Sequence, residues 1–195
     1  LEALGCAVQD IGIVPDRFEA TREALARAAA GSDLVLTSGG VSVGEEDHVK
    51  RALESLGELG LWRVRMKPGK PLAYGRVGEA DFLGLPGNPV SSLVTFLLFA
   101  RPFLLRRMGV QEVAPLAVAA AAGFSWGPGG RREFLRARLG QPPGDGPPRA
   151  ELFPRQGSDV LTSAAWADGL VEVPEDTRVE PGQVLRFLPF AGLWA

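Results

Sequence analysis

Apolar and polar positions follow a helix–strand rhythm along the first hundred residues and a different one afterwards. Residues 7–14, AVQDIGIV, form a short apolar stretch that predicts a strand. Residues 15–31, PDRFEATREALARAAAG, are rich in helix formers and stop at glycine, which predicts a helix over about 17–30. DLVLTS, 33–38, is a continuous apolar run between turn residues, as in a strand buried on both faces of a parallel sheet. A helix over 46–57 follows, stopped by Gly57, then an alternating strand over 60–66 and a KPGKP loop at 67–71. LAYGRV and DFLGLP, 72–77 and 81–86, predict a hairpin turning about residues 78–79. A long helix is predicted over 88–109, with Asn88 as its N-cap, Pro89 at its first position and Gly109 as its stop. Pro102 is expected to kink it.

This order predicts an α/β fold, a mostly parallel sheet with flanking helices. From about residue 110 the rhythm changes. Short strand-like runs (REFLRARL, RAELFP, GLVEVPED, QVLRFLP) are separated by Gly/Pro turns, including GQPPGDGPP at 140–148. They predict a second, all-β domain. The expected boundaries are residues 1–110 and 111–195.

Composition narrows the function. With 46% hydrophobic and 23% charged residues, the chain can bury a core. A net charge of −2 gives no general electrostatic reason to bind nucleic acid. The longest apolar run, residues 90–100, is too short for a membrane span and is followed by Arg101. A single cysteine, Cys6, excludes an intrachain disulfide and a thiolate cluster, and fits a reducing compartment. A single histidine, His48, excludes a His-rich metal site, and it is expected on the surface. The opening LEALGC reads as the last turn of a helix closing on Gly5, so the chain is expected to be a fragment whose N-terminal part is missing.

Three loops at predicted strand ends carry candidate chemistry, and ligands of open α/β sheets bind past such ends. In TSGGVSVGEED the main chain around Ser38, Gly39, Gly40, Ser42 and Gly44 can cradle an anion, and Asp47 could hold a divalent cation. The plain alternative is a glycine turn with acids placed on a helix dipole. In KPGKP, Lys67 and Lys70 flank a stiff Pro-Gly turn and suit an oxyanion such as phosphate, sulfate or molybdate, unless the turn is merely solvated. In GLPGNPVSS, residues Pro86, Gly87, Asn88, Pro89 and Ser91 join a strand to a helix N-terminus that favours an anion, or simply supply an Asn cap. Asp16 reads first as a helix N-cap. GGRREFLRARL reads as a basic strand, and Ser158 lies in the polar turn PRQGSD.

Taken together, TSGGVSVGEED, KPGKP, GLPGNPVS, RREFLR and RQGSDVLTS cover nearly the whole chain. In this order they resemble the molybdopterin molybdenumtransferases, the family of bacterial MoeA and the gephyrin E domain. The resemblance implies a molybdopterin-binding-like α/β domain, its first strand missing, and a small C-terminal β-barrel-like domain. It implies insertion of molybdate-derived molybdenum into adenylylated molybdopterin with release of AMP, assisted by Mg2+ or another divalent cation. Catalytic roles are implied for Asp16, Asp47, Lys67 and Lys70, with Asp47 on the cation. A molybdate site is implied at Lys67, Lys70, Ser91, Arg131 and Ser158, where Arg132 could replace Arg131 by a one-residue shift. The family also implies a cytoplasmic homodimer whose active site needs N-terminal domains absent here, so the fragment alone is expected to be inactive. The alternatives are a non-catalytic molybdopterin-binding or scaffold module, and an adenylyltransferase-like relative, against which the β domain argues.

Overall fold

The computed structural model describes residues 1–41, 48–142 and 144–194. The chain packs as two compact units, residues 1–64 with 69–88, and residues 65–68 with 89–195.

The first unit opens on a single 3-10 turn, Glu2–Leu4, closed by Gly5 in the left-handed region. Helix α1, Phe18–Ala29, buries Thr21, Ala24, Leu25 and Ala28, one stripe at helical spacing. Strand β1, Leu34–Ser38, pairs in parallel with β5, Ala80–Leu85. All six residues of β5 are buried, as the unbroken run predicts for a central strand. Helix α2, His48–Leu56, runs directly into β2, Gly57–Arg63. Strand β4, Pro71–Val77, pairs antiparallel with both β5 and β2, giving the order β1-β5-β4-β2. Leu25, Val35, Val41, Leu53, Ala73 and Phe82 form its core.

Two expectations change here. The sheet is mixed rather than mostly parallel. The two-residue turn between β4 and β5 can only join antiparallel strands, whereas β1 reaches β5 through a long connection that includes α2. Residues 7–14 form no strand, and Val8, Ile11, Ile13 and Val14 are exposed. An apolar run becomes a strand only where a neighbour takes its N–H and C=O groups, and no described residue does so.

In the second unit, residues 89–107 form one helix with a register change. Helix α3, Pro89–Thr95, passes through a π-turn, Phe96–Ala100, into α4, Arg101–Arg107. The π-turn stands directly before Pro102, whose ring would otherwise crowd the carbonyl four residues earlier. At 19 residues the whole helix is long and apolar enough to cross a bilayer by length and composition, beyond the shorter apolar run read from sequence. Its Val90, Val94, Leu97, Ala100 and Leu104 stripe is nevertheless buried in the protein, as in a core helix.

Strands β6 (Val118–Ala122), β7 (Arg132–Gly140), β8 (Arg149–Leu152), β9 (Gly169–Val173) and β10 (Val184–Pro189) close on themselves, because β7 pairs with both β8 and β9. The interior of so small a barrel is filled by side chains, and Ala120, Ala122, Ala137 and Ala150 leave room there for Leu135, Val171 and Phe187. A two-residue strand β3, Met66–Lys67, adds in parallel to the start of β7. Lys67 therefore belongs to a strand rather than to the predicted loop. The short helices α5, Leu161–Trp166, and α6, Phe190–Trp194, complete this unit.

Candidate functional site

In the first unit, Ser38 stands opposite Leu85 in parallel register, so β1 and β5 end side by side. Two glycine turns leave these ends. Gly39 and Gly40 have φ of 89° and 70°, conformations that side chains resist. Gly39 N–H donates to Leu85 O at 2.9 Å, and the Ser38 hydroxyl donates to Pro86 O at 3.4 Å. A Cβ on Gly87 would lie 3.5 Å from Gly39 Cα, and one on Gly40 would lie 2.5 Å from Val49 Cγ2. Bare main chain thus meets bare main chain at the carboxyl ends of two parallel strands. Gly40, Gly87 and Asn88 are exposed there, where a ligand can approach the backbone. Lys70 is also exposed, with no carboxylate partner among the described residues. Asp16 is exposed before α1. It is not the N-cap, which is Arg17, and it has no partner among the described residues.

The second unit gathers the other candidates. Lys67 Nζ lies 3.1 Å from Glu133 Oε2 and 5.9 Å from the Trp126 ring centroid. The β3–β7 register sets Lys67 opposite Glu133. Arg131, just before β7, donates to Met66 O at 3.4 Å. Lys67 and Arg131 are therefore neighbours. Arg132 is committed elsewhere, at 3.0 Å from Glu172 and 3.3 Å from Glu175. The Glu175 carboxyl is held below its ordinary range, first by a hydrogen bond from its own backbone and then by the Arg132 charge. Arg131 has no carboxylate partner among the described residues, so it is the guanidinium of the pair with charge to spare. Ser91, buried in the first turn of α3, and Ser158 also come together, because Val90 N–H donates to Ser158 O at 3.0 Å.

Sequence reading missed Glu133, taking its strand as simply basic, and missed Arg136. The Arg136 guanidinium is fully buried at the centre of β7. It donates to Ser163 Oγ at 3.0 Å and to Gly157 O at 2.9 Å, which ties the Ser158 turn to the barrel. Burial pushes its pKa down to about 10, so it remains a cation at neutral pH. The only sequence signal for either residue was a charge at a strand-core position. His48, expected on the surface, is partly buried, with an Nδ1 that has no partner among the described residues.

Ser42, Gly44 and Asp47 lie outside the described residues. Among the described ones, no three acidic, histidine or cysteine groups converge as a metal site. The described residues alone do not make a cation site.

Glycine turns at parallel strand ends, with a five-stranded barrel downstream, define an α/β-plus-barrel protein whose bare main chain suits an anionic ligand. Residues 1–106 match the probable molybdopterin binding domain, and residues 120–190 match the MoeA C-terminal region (domain IV). The chain belongs to this molybdopterin-binding family. The chain is 46% identical over 112 residues to the molybdopterin molybdenumtransferase of Haemophilus influenzae, covering 57% of this chain and 28% of that protein. It is 36% identical over 189 residues to the molybdenum cofactor synthesis protein cinnamon of Drosophila melanogaster, covering 90% of this chain and 31% of that protein. A solved molybdopterin biosynthesis MoeA protein from a Pyrococcus species superposes with a TM-score of 0.73 at 30% identity, over 92% of this chain and 42% of that one. The chain thus spans well under half the length of these relatives.

Proposed function

We propose that the full protein containing this chain inserts molybdenum from molybdate into adenylylated molybdopterin and releases AMP. The observation that carries this reading is the Gly39–Gly87 junction at the carboxyl ends of β1 and β5. Backbone amides with no side chain in the way can follow the phosphates of a pterin nucleotide closely. Ser38, Gly40, Pro86, Asn88 and Pro89 shape that approach. Lys67, Lys70 and Arg131 supply positive charge for the oxyanion and for the charge that builds as the phosphoanhydride breaks. Ser91 and Ser158 add hydroxyls. Asp16 and Asp47 are proposed as functional acids, Asp47 as the ligand of a divalent cation, magnesium by the family resemblance. A cytoplasmic homodimer of the full-length protein belongs to the same proposal.

Calorimetric titration of adenylylated molybdopterin into the full-length protein and its Gly40→Ala variant tests the reading. Alanine must take a φ of 70° with its Cβ against Val49. Binding is expected to weaken at least about tenfold. Equal affinity in a folded variant would move the ligand away from this loop. Tight binding without turnover in the parent protein would favour the scaffold module instead.

The two neighbouring arginines are expected to separate cleanly. Arg131→Ala should weaken molybdate binding about tenfold with little change in stability, since its charge has no carboxylate partner among the described residues. Arg132→Ala should cost about 1 kcal/mol of stability and spare binding, because it breaks the contacts to Glu172 and Glu175. Molybdate titration and thermal unfolding of both variants decide between them.

A further inference from the structure

The Glu133 carboxylate is the odd group in a site read as binding anions. Its side chain is 8% exposed, while that of its lysine partner is 46% exposed. Oε2 is buried with no hydrogen bond aligned on it, and Lys67 is the one cation beside it among the described residues. On its other side Glu133 Oε1 packs so closely on Gly129 that a Cβ there would lie 2.6 Å away. Burial and the ion pair to Lys67 hold the carboxylate where it is. Lys67 cannot leave freely either, because departure would strand a buried negative charge. The strand register sets the Lys67 backbone opposite Glu133, and the ammonium lies 5.9 Å from the Trp126 ring centroid.

We propose that Glu133 determines how strongly this site holds an oxyanion, by keeping a fixed negative charge against Lys67. This rests on the reading that Lys67 receives the oxyanion. A tetrahedral dianion arriving at Lys67 meets a neutralised ammonium and, behind it, a buried like charge. Affinity is thereby capped, and the cap falls on every oxyanion dianion alike. Neighbouring Arg131, whose charge has no carboxylate partner among the described residues, then supplies the net attraction. A carboxylate present only to stabilise the barrel would act differently, since its removal would leave oxyanion affinity unchanged or lower it.

The test measures the dissociation constants of molybdate and sulfate for the full-length protein and its Lys67→Ala, Glu133→Gln and Glu133→Asp variants, with thermal unfolding as a check on folding. Glu133→Gln keeps the shape and removes the charge. It is expected to bind both oxyanions at least about tenfold more tightly than the parent, with a steeper loss of affinity as salt is added. Glu133→Asp, which draws the carboxylate back by one methylene, is expected to fall between the two. If a folded Glu133→Gln protein binds no more tightly than the parent while Lys67→Ala binds more weakly, Glu133 has no such role and the oxyanion reading stands. If Lys67→Ala changes nothing, the oxyanion reading fails and the role of Glu133 fails with it. Should Glu133→Gln not fold, Glu133→Asp carries the test, and affinity no tighter than the parent's overturns the proposal.

Discussion

Lys67→Ala in the full-length protein is expected to lower kcat/KM for molybdenum insertion by about a hundredfold, the scale on which removing one preorganised donor acts. Lys67 is the candidate with the most tightly specified position. Strand pairing sets its backbone opposite Glu133, the ion pair sets its ammonium, and the Trp126 ring lies on a further side. The substitution has a second consequence that must be separated from the first. It leaves Glu133 buried without its cation, and breaking a buried pair in this way destabilises by up to about 3–5 kcal/mol. Because Lys67 itself is half exposed, the loss should fall at the lower end of that range or below it. The double variant Lys67→Ala/Glu133→Gln removes the stranded charge. Its thermal stability is expected to return most of the way to the parent's while its activity stays low. Recovery of activity together with stability would show that Lys67 served the fold alone.

The second large effect is predicted far from any charge. Gly84 lies in the middle of β5, and a Cβ placed there would collide with Val41 Cγ1 and sit 3.2 Å from Ala73 Cβ. Gly84→Val is expected to destabilise by about 3 kcal/mol, the upper end of overpacking costs. For a unit of this size that lowers Tm by roughly 10 °C or more. The strain also has a direction. Val41 directly follows Gly39 and Gly40, so relief of the clash shifts the glycine loop, and affinity for adenylylated molybdopterin should drop in step. Gly78→Ala provides the comparison. Gly78 has a φ of 59° but nothing within 4 Å of an added Cβ, so only backbone strain of about 1 kcal/mol is expected. Circular-dichroism melting of the two variants measures the difference. Similar losses in both would mean that β5 can shift to admit a side chain.

Much of the fold is legible in the chain because it rests on local rules. The α1 stripe, the buried β5 run and the hairpin turn at residues 78–79 are set by spacing and turn chemistry within a few residues. Residues 7–14 show the limit of such rules. Their apolar run satisfies the strand pattern, but a strand is a property of two segments, and no described residue pairs with this one. The parallel count failed for a related reason, since strand direction follows from the length of the connection rather than from hydrophobicity.

The candidate site divides along the same line. Its glycine turns, lysines and serines were visible because chemistry of that kind concentrates in short motifs between elements. By itself the sequence determined which groups exist: Gly39 and Gly40 after an apolar run, two lysines about a Pro-Gly turn, and two arginines at the head of a strand. Only the tertiary structure decided which of them carry charge available to a ligand. It gave Arg132 to Glu172 and Glu175, left Arg131 without a carboxylate among the described residues, set Glu133 against Lys67 sixty-six positions earlier, and buried Arg136 beneath the Ser158 turn. The physical reason is that a side chain's charge is tuned by what lies within a few ångströms of it. In a closed barrel those neighbours come from strands far apart in sequence, whose register no local pattern encodes.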